Sequence, residues 1–130
     1  AAVLQIIFLL IRMYPSREIV SSPDREQLKE VLQEISVKSS ENLSVADMAK
    51  FCGWSSSHFM RWFKKMTGDS FTSYVNDRRL AEAAEALCQT DDKILTIAQD
   101  AGFMNLSNFN RQFKKRYGVT PREYREMIGI

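Results

Sequence analysis

Cysteine and histidine are scarce in this 130-residue sequence, which contains two cysteines and a single histidine. Cys52 and Cys88 lie far apart and form no C-x-x-C pair, so the sequence indicates neither a disulfide framework nor a set of zinc ligands. We therefore expect no metal and no cofactor. Unpaired cysteines are typical of the reducing cytoplasm, which is the compartment we expect for this chain.

Glycine and proline are also few, at five and three residues, whereas 45% of the residues are hydrophobic and 26% are charged. This composition is that of an ordinary globular protein and excludes a fibrous or disordered class. No segment alternates between polar and apolar residues for long enough to predict a strand. The sequence therefore predicts an all-α fold of about seven helices, in one compact domain or two small helical subdomains.

The chain opens with an apolar stretch, residues 1–13. This stretch is too short to cross the ~30 Å hydrocarbon core of a bilayer and lacks the basic start of a signal peptide, so we expect no membrane contact. We interpret residues 1–22 as the remnant of an upstream domain and its linker, with one additional N-terminal helix. An exposed apolar face on that helix would favour a homodimer through residues 1–13.

From residue 44 onward the sequence repeats itself with a period of about 50 residues. The first copy, residues 44–67, contains A-x-x-C-G-W and then F-x-R-x-F-K-K. The second copy, residues 94–117, contains A-x-x-A-G-F and then the same F-x-R-x-F-K-K. In both copies G-x-S/T-x-x-x-Y follows. The second copy has one extra residue near Met104, which indicates a longer turn.

Each copy has the composition of a helix-turn-helix unit: a short helix with a buried alanine, a turn with glycine, and a second helix. Gly53 and Gly102 can supply the left-handed backbone conformation that the turn requires. Ser70 and Thr120 follow the two copies as predicted N-caps. Each unit is therefore expected to lead directly into another helix.

The residues between the copies, 71–88, predict one long amphipathic helix that sets the distance between the two units. Thr90 and the two aspartates after it are expected to end this helix. Its inner side is predicted to contain Phe71, Tyr74, Val75, Arg78, Ala81, Ala84 and Cys88.

The second helix of each unit has an apolar side and an opposite, basic side. At 100° per residue, Phe59 and Phe63 share one side of the first such helix and Arg61 lies opposite; the second unit repeats the pattern. Residues 55–67 and 105–117 together contain seven basic residues and no acidic residue, although the net charge of the chain is only +2. An arginine on such a face can bind guanine O6 and N7, and lysines nearer the helix end can reach phosphates.

These motifs, duplicated around a linker helix over about residues 25–128, resemble the C-terminal DNA-binding domain of the AraC/XylS family of bacterial transcription regulators. The resemblance implies two homeodomain-like helix-turn-helix subdomains within residues 23–130. It implies that both recognition helices enter successive major-groove segments of double-stranded DNA, about one turn or ~34 Å apart. It also implies an upstream effector-binding or dimerisation domain, and leaves open both RNA polymerase as a second partner and the choice between activator and repressor.

The resemblance assigns roles to individual positions of the two units. Leu106 is an unusual member of the base-reading set, since it can only touch a thymine methyl group or pack. The expected phosphate contacts would set affinity and salt sensitivity rather than sequence choice. The base-reading residues are expected to be Ser57, His58, Met60, Arg61, Leu106, Ser107, Asn108, Asn110 and Arg111. The phosphate-binding residues are expected to be Ser44, Lys64, Lys65, Lys114, Lys115 and Arg122.

Four other interpretations of the function compete with this one. An enzyme is not expected, because no nucleophile with a base, paired carboxylates, metal set or phosphate loop occurs at usable spacing. A helical protein-interaction module stays open, and it predicts that loss of Arg61 or Arg111 leaves binding unchanged. RNA binding is disfavoured because the A-form major groove is too narrow for a recognition helix. Stacking on unpaired bases is disfavoured because Trp54, Trp62 and their neighbours have the spacing of core residues.

Overall fold

The structure is a computed structural model that describes residues 22–128. Every regular element in that range is a helix, which confirms the predicted all-α class for the described residues. The expectations about an upstream domain and a dimer through residues 1–13 lie outside the described residues. The helices are α1 (Ser22–Lys38), α2 (Val45–Cys52), α3 (Ser56–Thr67), α4 (Phe71–Gln89), α5 (Ile94–Asp100), α6 (Leu106–Tyr117) and α7 (Pro121–Ile128).

Side-chain caps begin the helices that follow each unit. Ser70 Oγ accepts a hydrogen bond from the N–H of Ser73 at 3.2 Å, and Thr120 Oγ1 accepts one from the N–H of Glu123 at 3.1 Å. Both predicted N-caps are therefore confirmed. Such a cap satisfies one of the backbone donors that the first turn of a helix leaves without an intrahelical partner.

A glycine with a positive φ lies just after the first helix of each unit, directly after α2 in the first and after Ala101 in the second. Gly53 follows α2 with φ of 75°, and Gly102 follows α5 with φ of 101°. These values confirm the predicted role of both glycines, because side chains other than hydrogen are strained at such angles. The chain reverses there and enters α3 and α6.

The two helix-turn-helix units have separate apolar cores that share the long helix α4. In both cores a pair of fully buried phenylalanines from the second helix lies at the centre, with ring centroids 5.7 Å apart in each pair. A tyrosine from the following helix packs edge-on against the second ring of each pair. The first core consists of Val31, Ile35, Met48, Ala49, Phe59, Phe63, Phe71 and Val75. The second consists of Leu80, Ala83, Ala84, Leu87, Ile97, Ala98, Ala101, Phe103, Phe109 and Phe113.

The apolar side predicted for α4 is only partly right in its second half, where Ala84 is buried as predicted but two other members are not. Ala81 and Cys88 are exposed, whereas Leu80 and Leu87 are buried in the second core. At 100° per residue the buried stripe of the first half and that of the second half lie roughly 150° apart around the helix. The reason is that α4 serves two cores on nearly opposite faces, so no single stripe continues along its length.

Candidate nucleic-acid interface

The two candidate recognition helices, α3 and α6, are twelve residues long and begin in the same way. Ser55 Oγ accepts from the N–H of His58 at 3.2 Å, and Asn105 Oδ1 accepts from the N–H of Asn108 at 2.9 Å. A polar N-cap thus fixes the N-terminal end of both helices, where the predicted base-reading residues begin. Each helix ends at a glycine with a left-handed backbone.

The predicted base-reading residues lie on the solvent-facing surfaces of these helices. At 100° per residue, the serines and arginines among them lie opposite the buried phenylalanine pairs, whereas Leu106 lies about 60° from Phe109. All nine are exposed except Asn108, which is half-buried. Among the apolar members, Met60 is 46% exposed and Leu106 is 38% exposed. The four in α3 are Ser57, His58, Met60 and Arg61, and the five in α6 are Leu106, Ser107, Asn108, Asn110 and Arg111.

His58, one of the predicted base-reading residues of α3, packs against an aromatic neighbour. Its ring lies 4.4 Å from that of Trp54, centroid to centroid, with the two planes at 39°. Trp54 also packs edge-on against Trp62 at 5.0 Å, and Trp62 Nε1 donates to Asp24 Oδ1 at 3.3 Å. The two tryptophans were expected in the core but are only half-buried. They connect the turn and α3 to α1.

Arg111, one of the predicted base-reading residues of α6, is positioned by a side-chain hydrogen bond. Its Nη2 donates to Asn108 Oδ1, one helical turn earlier, at 2.8 Å. An arginine carries five N–H groups in a planar fork, so this hydrogen bond leaves further guanidinium donors for other contacts. The free protein therefore presents a partly ordered arginine at this position.

Four exposed lysines lie in the last turns of the recognition helices. A cation near a helix C-terminus interacts favourably with the partial negative charge of the last carbonyls. Arg116 belongs to the same basic stretch but is turned away, since its Nε lies 3.7 Å from Asp77 Oδ1 on α4. The lysines are Lys64, Lys65, Lys114 and Lys115.

Ser44 and Arg122, the other predicted phosphate contacts, are both exposed at helix starts. Ser44 and Asp47 form a capping box, in which the Asp47 carboxylate accepts from the N–H of Ser44 at 3.4 Å. An incoming phosphate at Ser44 would meet that negative charge. Arg122 lies in the first turn of α7 beside Glu123, whose carboxylate accepts a hydrogen bond from Thr120 Oγ1 at 2.9 Å.

Sequence reasoning missed one exposed residue at this surface. Met104 in the turn before α6 is 97% exposed. The signal that could have found it is the one-residue insertion in the second copy, because an added residue in a tight turn has no core position to fill.

The remaining sequence expectations concern cysteines, metals and membranes. Cys52 is half-buried and accepts a hydrogen bond from Gln27 Nε2 at 3.3 Å; burial raises the pKa of its thiol. Within residues 22–128 no group of histidine, cysteine and carboxylate side chains could hold a metal ion. None of the helices in that same range has the length and apolar character needed to cross a membrane.

The family described as helix-turn-helix domain matches residues 48–127. Regulatory protein PocR of Salmonella typhimurium is 36% identical over 107 residues, covering 82% of this chain and 35% of PocR. The chain therefore spans about a third of the length of that relative.

Solved structures with the same fold include two DNA-binding domains. A transcriptional regulator with an AraC-type DNA-binding domain from Chromobacterium violaceum has a TM-score of 0.75 and 28% identity, covering 84% of this chain and 97% of that one. The DNA-binding domain of AdpA, solved in complex with a target DNA, has a TM-score of 0.74 and 24% identity, covering 78% and 91%. The match covers more than half of the chain and includes most of the first unit and all of the second, so this chain belongs to the AraC-type helix-turn-helix family of DNA-binding transcription regulators.

Proposed function

We propose that this chain binds double-stranded DNA in a sequence-specific manner, with α3 and α6 in successive major-groove segments about one turn apart. The observation that carries the proposal is the equivalence of the two outer faces. Arg61 and Arg111 occupy the same position opposite matched phenylalanine pairs, and both are exposed. A purely structural repeat would require the apolar core to recur, but it would not require the exposed basic side to recur with it.

The base-reading role falls to the outer residues of the two helices. Arg61 and Arg111 would each bind the O6 and N7 acceptors of a guanine, and short polar residues beside them would meet neighbouring base edges. The two units would differ in preference. His58 and Met60 face the groove in α3, whereas Leu106 in α6 offers an apolar contact suited to a thymine methyl group.

Affinity without sequence preference would come from the lysines at the ends of α3 and α6, with Arg122 and Ser44. Each phosphate contact releases condensed counterions, so this part of the binding weakens as salt rises. The AdpA domain, which has this fold and was solved with a target DNA, supports duplex DNA as the partner.

The role of the whole protein is a proposal that goes beyond DNA contact. PocR, of which this chain covers 35%, is described as a regulatory protein. By this similarity we infer a bacterial transcription regulator that acts in the cytoplasm, with RNA polymerase as a further partner. We also infer a homodimer formed through an upstream domain and residues 1–13.

The proposal is tested by selection from a random duplex library at fixed salt, with wild type beside Arg61→Ala and Arg111→Ala. Wild type is expected to enrich two boxes about one helical turn apart. Each variant should lose preference at a different box, because a lost guanine contact costs about 1–3 kcal/mol.

Arg116→Ala is the matched control. It removes the same charge from α6 but from a side chain that faces Asp77 on α4. It should weaken binding in general and leave both boxes intact. Failure of the wild type to enrich any sequence, or variants that select the same boxes as wild type, would refute base readout by these helices.

A further inference from the structure

The middle of α4 contacts both units from the same two helical turns. On the side of the first unit, Arg78 Nη2 donates to Ser36 Oγ of α1 at 2.8 Å. On the side of the second unit, Asn76 Nδ2 donates to Gln112 Oε1 of the recognition helix α6 at 3.4 Å. This segment lies between the two apolar cores, which have no residue in common. Its polar contacts therefore join two units that are packed separately.

Arg79 occupies the centre of this segment and binds the loop between α1 and α2. Its Nε donates to the carbonyl of Ser39 at 2.6 Å, and its Nη2 donates to the carbonyl of Glu41 at 2.6 Å. The planar guanidinium therefore holds two backbone carbonyls of the first unit in one fixed geometry. Partial burial lowers the pKa of this guanidinium from its ordinary value, although an arginine stays charged at neutral pH.

The turn of the second unit packs against the same point. A methyl group placed on Gly102 would lie 3.0 Å from Arg79 Nε and 3.0 Å from the Ser40 carbonyl oxygen. At Gly53, the equivalent glycine of the first unit, the same methyl group would have no neighbour within 4 Å. Arg79 thus lies where the loop of the first unit meets the turn that leads into α6.

We propose that Arg79 is a positioning residue that fixes the first unit relative to the second, and so determines which spacing between two DNA boxes the chain accepts. The inference rests on the proposed function. The continuous helix α4 sets a length, but the loop of the first unit is held against the turn of the second by the Arg79 fork. Adding one base pair between the boxes moves one of them by about 3.4 Å and about 35° around the duplex. A fixed joint would resist that change.

The experiment measures dissociation constants for duplexes that contain the two selected boxes at the selected spacing and at one base pair more or less. The readout is the spacing ratio, that is, the dissociation constant at an altered spacing divided by the constant at the selected spacing. A general loss of stability does not change this ratio. Arg79→Lys keeps the charge and the stem but cannot bridge two carbonyls with a planar fork. It is expected to reduce the spacing ratio by about 2- to 30-fold, the range found for residues that couple two sites.

Arg125→Lys is the matched control. Arg125 donates to the carbonyls of Leu87, Thr90 and Asp92 at 3.2, 3.0 and 2.8 Å, all at the end of α4 or in the loop after it, beside the second core. Its loss should lower stability without changing the spacing ratio. Gly102→Ala provides a second variant at this contact. Its methyl group would push against Arg79 and Ser40, so it should also change the spacing ratio. Circular dichroism establishes that each variant is folded.

The outcomes separate this inference from the proposed function. Wild type that selects two boxes, with an unchanged spacing ratio in Arg79→Lys and Gly102→Ala, overturns the positioning role alone. Equal relaxation by Arg125→Lys also overturns it, because the effect would then follow from stability. A wild-type chain that binds no duplex contradicts the proposed function itself, and the inference falls with it.

Discussion

Gly53 and Gly102 hold the same place in their units but have different surroundings. Both have a positive φ, of 75° and 101°. Only the φ of Gly53 lies near the small left-handed region that other residues can enter. Gly102 also faces the backbone of Ser40 and the side chain of Arg79. Gly102 therefore combines a backbone conformation less accessible to other residues with close neighbours, whereas Gly53 has neither feature.

Gly53→Ala is expected to lower the free energy of unfolding by about 1 kcal/mol, the cost of a left-handed alanine. Gly102→Ala should cost about 1–3 kcal/mol more, because its φ is less accessible to alanine and its methyl group must displace its neighbours. Urea unfolding of the two variants beside wild type measures the difference. Equal losses would contradict both the greater backbone strain and the crowding at Gly102.

At the scale of elements, α4 differs from an ordinary amphipathic helix. Phe71 and Val75 belong to the first core, whereas Leu80 and Leu87 belong to the second. The helix is long enough at 19 residues to change its buried face once along its length. Its polar middle, which includes Arg79, is the place where the change occurs.

The buried face of the second half is tested by two adjacent residues. Leu87→Ala should destabilise the protein by about 2–5 kcal/mol, the usual cost of such a cavity. Cys88→Ser should change stability by no more than about 0.5 kcal/mol, since Cys88 is exposed. Thermal or urea unfolding gives both values. A large loss of unfolding free energy in Cys88→Ser would instead support one continuous apolar side along α4, with Cys88 on it.

The sequence predicts the duplicated parts of the fold well, because each repeated position is observed twice. The glycine turns, the N-caps Ser70 and Thr120, and the exposure of Arg61 and Arg111 all follow from local patterns. The buried face of α4 does not follow, since periodicity assumes one core per helix. The contacts of Arg79 with backbone carbonyls are equally hidden, because carbonyl positions depend on tertiary structure and not on residue type.

At the scale of the whole molecule, binding combines contributions from two units on one chain. The lysines of α3 and α6 form two separate basic regions, and the net charge of +2 does not describe either of them. The dependence of affinity on salt should therefore report how many of these lysines reach phosphates.

Lys114→Gln is expected to reduce the slope of log affinity against log salt by about 1, uniformly across DNA sequences. Lys29→Gln removes an equal charge from an exposed position on α1 and should leave the slope unchanged. Titrations of one duplex over a series of salt concentrations supply both slopes. Identical slopes for the two variants would place Lys114 away from the phosphates.

Both tryptophans of the chain lie in the first unit, and the Trp54 ring contacts the exposed His58 ring of α3 with the two planes at 39°. The protein therefore contains its own optical reporter for one of its two recognition helices. Entry of α3 into a groove would reorganise the His58 ring and change the emission of Trp54, whereas engagement of α6 alone would leave that emission unaltered. The order in which the two units meet the duplex is thereby open to stopped-flow fluorescence without any added label.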